Sequence, residues 1–227
     1  MHIEPGLVEA GKLGLGYATA AGAVTGVLAT AFAAVRERGV FSLVARSLLT
    51  TALVLCFFEV LPHRPVGVSE VHFILGSTLF LLFGAAPAAL GLALGLLVQG
   101  LVFAPFDLPQ YGMNVTTLLV PLFAIAALSR RVIPAATPYV EVKYRQALAL
   151  STTYQAGIVT WVAFWAFYGQ GFGAATTHAV ATFGAAYLAV VLIEPLVDLG
   201  VLAVAKGLAG APLSRLLERR LYVAEGA

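Results

Sequence analysis

Apolar runs of about twenty residues, rich in Gly and Ala and nearly free of charge, recur from residue 12 to residue 205, and no other feature narrows the possible folds so far. The hydrocarbon layer of a bilayer is ~30 Å thick, and a helix crossing it needs ~20 mainly apolar residues. Runs of that kind fall at about 12–35, 43–61, 69–84, 86–105, 113–131, 146–168 and 178–205. They predict an all-α membrane protein with about seven transmembrane helices. Composition agrees, with 60% hydrophobic and 11% charged residues and a mean hydropathy of +0.94, outside the range of soluble domains. A membrane β-barrel would show short alternating segments instead of long continuous ones. Only Gly84-Ala85-Ala86-Pro87 separates the third and fourth runs, so a helical hairpin or a re-entrant pair reads the same way there.

Basic residues set the expected orientation, because Lys and Arg are retained on the cytoplasmic side of short loops. Arg36, Arg38 and Arg46 follow the first run, Arg130, Arg131, Lys143 and Arg145 the fifth, and Lys206, Arg215, Arg219 and Arg220 the seventh. Lys12 and Arg64 alone fall on the other side. The N-terminus is therefore expected outside and the C-terminus in the cytoplasm. The net charge of +2 reflects topology and attraction to inner-leaflet lipid, and gives no reason to expect nucleic acid. The expected domains are a membrane domain at 1–211 and a short amphipathic cytoplasmic tail at 212–227. Glu4 and Glu9 precede any apolar run and Lys12 is the only nearby base, which does not read as a cleaved secretory leader.

The single cysteine, Cys56, rules out an intrachain disulfide framework or a thiolate cluster. There is no Walker A, HExxH or Ser-His-Asp pattern, so the chain is not expected to be an enzyme or to hold a permanent cofactor. Glycines 11, 14, 16, 22 and 26 in the first run and 91, 95 and 100 in the fourth are spaced for close helix packing.

Candidate ligands gather on the predicted outer side. An α-amine at Met1, the His2 amide nitrogen and the His2 imidazole close chelate rings around one divalent ion, and His72 is the choice for a fourth nitrogen. Such a set suits Ni(II), Cu(II) or Co(II). His63 and His178 lie on the same side as alternatives, though both also read as ordinary interfacial residues. Pro5 and Gly6 permit a bend that turns the N-terminus into the bundle. Within the spans Glu59, Gln99, Asn114, Gln155, Glu194 and Asp198 stand out, because buried polar groups in a membrane need partners. Glu59 lies at the depth of the histidine loop, where a carboxylate orients an imidazole. Glu194 and Asp198 are spaced i, i+4 beside Pro195 and suit either helix-to-helix hydrogen bonds or a proton or cation step.

These motifs carry a family resemblance. Met1-His2-Ile3-Glu4-Pro5-Gly6, the stretch Gly67-Val68-Ser69-Glu70-Val71-His72, the run Phe83-Gly84-Ala85-Ala86-Pro87 through Gln99, and Gly112-Met113-Asn114-Val115 together resemble the substrate-binding membrane subunits of energy-coupling factor transporters for cobalt and nickel, the CbiM/NikM family. The likeness covers residues 1 to 128. It implies seven helices, an N-terminus inside the bundle, and metal ligation by Met1, His2 and His72, with Ser69 and Asn114 joining Glu59 around that set. It also implies a bacterial-type inner membrane, a transmembrane coupling subunit, two cytoplasmic ATPases and a small accessory membrane subunit. Departures are Glu4-Pro5 before Gly6 and a Phe106-Asp107-Leu108-Pro109-Gln110 loop in place of a Gly-rich one.

The function expected is capture of Co2+ or Ni2+ for uptake. A stand-alone secondary transporter or channel, with Glu194 and Asp198 as its inner step, is the first alternative. A vitamin-binding or scaffolding subunit is the second, with an aromatic pocket drawn from Trp161, Phe164, Trp165, Phe167 and Tyr168.

Overall fold

In the computed structural model, Ile3 and residues 6–224 are described. Helix α1 covers Leu13–Glu59 but breaks at Gly39 (φ 80°, ψ 162°), so the first two apolar runs form two arms, 13–38 and 40–59. Glycine takes that positive φ without steric cost. Helices α2 (Gly76–Phe83), α3 (Ala85–Val102), α4 (Tyr111–Val132), α5 (Tyr144–Gln170), α6 (Ala174–Leu188) and α7 (Glu194–Gly207) follow. Among the described residues, four stretches are both long and apolar enough to cross a membrane by length and composition: Ala10–Glu59, Ala85–Val102, Pro105–Val132 and Ala174–Gly207. The chain is a helical, multi-pass membrane protein.

The third run differs most from its expected helix at 69–84. Strand β1 (Arg64–Val66) pairs antiparallel with β2 (Ser69–Val71) in the register Arg64↔Val71, Pro65↔Glu70, Val66↔Ser69. Gly67 (φ 63°) takes the first turn position and lies against the Ala179 carbonyl of α6, where a Cβ would approach to 2.2 Å. A positive-φ glycine there is what a two-residue hairpin turn favours. The helix starts only at Gly76, after a left-handed Leu75 (φ 55°) that redirects the chain. Eight residues of helix rise ~12 Å, well short of a bilayer. Short, β-branched and able to pair locally, the segment 64–71 satisfies its backbone as a hairpin at the bundle's mouth.

The seventh run is likewise interrupted. A 3-10 turn at Ala189–Leu192 separates α6 from α7, and Pro195 in the first turn of α7 supplies no amide to the preceding carbonyls.

Glycine spacing translates into contact at some positions only. A Cβ on Gly112 of α4 would meet the Gly16 carbonyl carbon and oxygen at 2.8 Å, and one on Gly91 or Gly95 would strike Thr50 or Val54 of the second α1 arm. Gly26 faces Phe123 of α4 and Gly100 faces Leu108, whereas Gly11, Gly14 and Gly22 have nothing within 4 Å.

The tail is fastened to the bundle. Its 3-10 turns, Pro212–Leu216 and Arg219–Leu221, flank Glu218, whose amide donates to the Leu82 carbonyl at 2.7 Å. Arg46, 1% exposed, donates to Glu218 Oε2 at 3.1 Å and to the Phe83 carbonyl at 3.0 Å. Arg38 donates to the carbonyls of Leu217 and Arg215, both at 2.6 Å. Arg220 lies over the Tyr139 ring, 4.9 Å from its centroid. Arg46, Arg130 and Arg220, which follow the first, fifth and seventh runs, line one cavity with Glu218, and the hairpin lies elsewhere, beside Ile3.

Candidate metal centre

The N-terminal segment is seated in the bundle at Ile3 and again at Leu7 and Val8. Ile3 is fully buried, its amide donates to Asn114 Oδ1 of α4 at 3.1 Å, and it forms an antiparallel bridge with Ser69 of β2. Leu7 and Val8 are buried, and the Leu7 carbonyl presses on Gly169, where a Cβ would come within 2.1 Å. Lys12 Nζ then caps the end of α5 by donating to the carbonyls of Tyr168 (3.2 Å) and Gly169 (3.3 Å). Such an ammonium complements the negative end of a helix. Apolar Ile3, Leu7 and Val8 supply the burial, and Asn114 satisfies an amide that would otherwise be costly inside the bundle.

His72 is buried at 2% exposure where the chain leaves β2. Its Nε2 lies 2.9 Å from Glu70 Oε2. Glu70 thus reaches the imidazole from two residues away and fixes its orientation, as carboxylates do for metal-binding histidines. The His63 ring stacks on His72 with centroids 4.9 Å apart and planes at 14°. Phe58 closes the site edge-on, 5.3 Å away.

Of the expected ligands, His72 is placed; Met1 and His2 lie outside the described residues. Ser69 and Asn114 meet at Ile3. Glu59 is half-buried at the end of α1, and the residue of that turn packed on His72 is Phe58. His63 is exposed apart from its stacked face, and His178 is exposed on α6. Among the described residues no group of three or more His, Cys, Asp or Glu forms a metal-holding cluster. Glu70 was missed as a partner because a helix from residue 69 would have turned it away from His72; Gly67 between the short segments Arg64–Val66 and Ser69–Val71 was the available hairpin signal.

A small cavity adjoins Asn114, lined by Leu96, Gln99, Asp107, Leu108 and Tyr111. Gln99, Asp107 and Gln110 are at most 6% exposed, so Asp107 and Gln110 of the Phe106–Gln110 loop face inward while Phe106 faces out.

The remaining polar candidates form a separate centre. Glu194 and Asp198 are fully buried and joined to Ser77, Thr78, Ser151 and Gln155. The aromatics of α5 use their faces on one another: Phe164 and Trp165 are 4.9 Å apart, Phe164 and Tyr168 6.0 Å. Trp161 Nε1 donates to Thr116 Oγ1 at 2.9 Å.

The family model described as the cobalt uptake substrate-specific transmembrane region, CbiM, matches residues 2–209, well past the stretch 1–128 that carries the motifs. A solved structure described as the crystal structure of a transition metal transporter superposes with a TM-score of 0.69 at 16% identity, over 95% of this chain and 96% of that one. At that identity the likeness is one of fold. Compared with curated protein sequences, the chain matches none.

Proposed function

This chain belongs to the CbiM family, the substrate-specific transmembrane region of cobalt uptake, and from that premise we propose that it captures a single Co2+ or Ni2+ ion through nitrogen ligands from its N-terminus and His72. The chain is a membrane component of metal uptake, and the metal is its cargo. The observation carrying the ligand assignment is the seating of Ile3, held by Asn114 and bridged to Ser69 three residues before His72.

Amine, deprotonated amide and two imidazoles make a four-nitrogen set. Nitrogen donors in a tetragonal arrangement favour Ni(II) and the neighbouring Co(II) over Mg2+ and Ca2+, which take oxygens. On this reading Glu70 holds the His72 ring in place and Phe58 and His63 wall it in. On this reading the chain makes about seven passes, the two arms of α1, the segment containing α2, which as a helix alone is too short to span, α3, α4, α5 and the broken pair α6–α7. The N-terminus is outside a bacterial-type inner membrane and the docked tail inside. Energy comes from partners of the energy-coupling factor type, a transmembrane coupling subunit and two ATPases, because the chain has no nucleotide-binding motif.

The test is metal binding by the purified chain with a native N-terminus beside a form carrying extra residues before Met1. One equivalent bound by the native form and none by the extended form supports the amine ligand. Equal binding by both removes it.

A further inference from the structure

We propose that Glu194 and Asp198 form an internal proton-binding site in which at least one proton neutralises the pair at neutral pH. This does not rest on the metal centre.

Both carboxylates are fully buried on α7, one helical turn apart. Ser77 Oγ lies between them, 3.2 Å from Glu194 Oε1 and 2.8 Å from Asp198 Oδ2. Thr78 donates to the other Asp198 oxygen. Ser151 and Gln155 of α5 both donate to Glu194 Oε2, Gln155 at 2.6 Å. Among the described residues, every group holding the pair is a neutral hydroxyl or amide. Two negative charges in an apolar interior without a counter-charge are too costly to persist, and such groups neutralise instead.

Two further groups point to what is bound. Tyr154 is fully buried between Ser151 and Gln155 on the same face of α5, and its hydroxyl has no hydrogen-bond partner among the described residues. The end of its ring packs on Gly76, next to Ser77, where a Cβ would meet Cζ at 2.2 Å. Gln155 Oε1 is buried and unpartnered as well. The hydrogens of Thr78, Ser151 and Gln155 are aimed at carboxylate oxygens, but Ser77 has one hydroxyl hydrogen for two of them, Glu194 Oε1 and Asp198 Oδ2, so one hydrogen is missing between the carboxylates. A carboxyl O–H supplies one. Oxygens packed at 2.5–3.2 Å by direct hydrogen bonds suit a proton; Ca2+ would require six to eight oxygens converging on a central gap. The other titratable groups facing the pair are the phenols of Tyr154 on α5 and Tyr187 on α6, both interacting with Glu194; α2 presents only Ser77 and Thr78.

Infrared spectroscopy of the purified, metal-free chain at neutral pH reads the proton directly, as the carbonyl stretch of a protonated carboxyl above the amide I band, shifted by D2O. The expected result is such a band in the unaltered chain and its loss in E194Q/D198N. Should the double variant not fold, E194Q and D198N singly are each expected to reduce or shift the band. Absence of the band from the unaltered chain overturns the proposal, and so does a band unchanged by the substitutions. A band that appears only once Na+ or Ca2+ is stripped away also overturns it, because the neutralising charge is then a metal cation.

Discussion

The Ile3 amide donates to Asn114 Oδ1 at 3.1 Å across 111 residues of sequence, tying the start of the chain to the first turn of α4. This bond fixes where anything preceding Ile3 can reach. Replacing Asn114 with Ala orphans a buried amide and releases the segment. Because groups that orient metal ligands are worth 10–100-fold in affinity, N114A is expected to weaken Ni2+ or Co2+ binding by about tenfold or more. Calorimetric titration of the purified protein measures it, and unchanged affinity would separate the Ile3 anchor from the site.

His72 and Glu70 should differ in severity. H72A is expected to abolish high-affinity binding, while E70Q keeps a hydrogen-bonding group and lowers affinity by roughly 10–100-fold. H178A, on an exposed position of α6, is expected to bind as the unaltered chain does. If H178A lost binding and H72A kept it, the ligand assignment would move.

Metal binding requires amine, amide and imidazole to lose their protons, so protons compete with the ion. Affinity is expected to fall as pH drops below about 6.5, the ordinary imidazole value, and to recover as pH rises. The same titrations at several pH values test the sign; a flat profile argues against an imidazole ligand.

Arg46 and Glu218 pair with side-chain exposures of 2% and 18%. E218A leaves the guanidinium buried without its carboxylate, and the cost is set at about 3 kcal/mol, the low end for an orphaned buried charge, because the Phe83 carbonyl still accepts from it. Limited proteolysis should cut the variant near residues 212–224 first, with metal affinity unchanged. Resistance equal to that of the unaltered chain would mean the other tail contacts suffice.

Gly16 and Gly112 let the first arm of α1 touch α4 backbone to backbone. G112A forces that contact apart at an overpacking cost of roughly 1–3 kcal/mol. G22A, with open space around residue 22, should be near neutral. Thermal unfolding of the two variants in one detergent makes the comparison.

Long apolar runs by themselves determined a multi-pass helical membrane protein, since only a helix satisfies its own backbone in lipid over ~20 residues. The grouping of His63 and His72 in one short loop was legible for a similarly local reason, whereas the break in the seventh run falls at Ala189–Leu192, ahead of Pro195. Which glycines pack, the hairpin in place of a helix at 64–71, Glu70 as the carboxylate on His72, and the joining of Ser77 and Ser151 to Glu194 were not legible. Each depends on a partner far along the chain: Ile3 and Ala179 for the hairpin, Gly16 for Gly112, α2 and α5 for Glu194. Hydropathy records the preference of a segment for lipid and is silent on its neighbours. Burial, hydrogen bonding and charge compensation are pairwise, so the tertiary structure alone decided them.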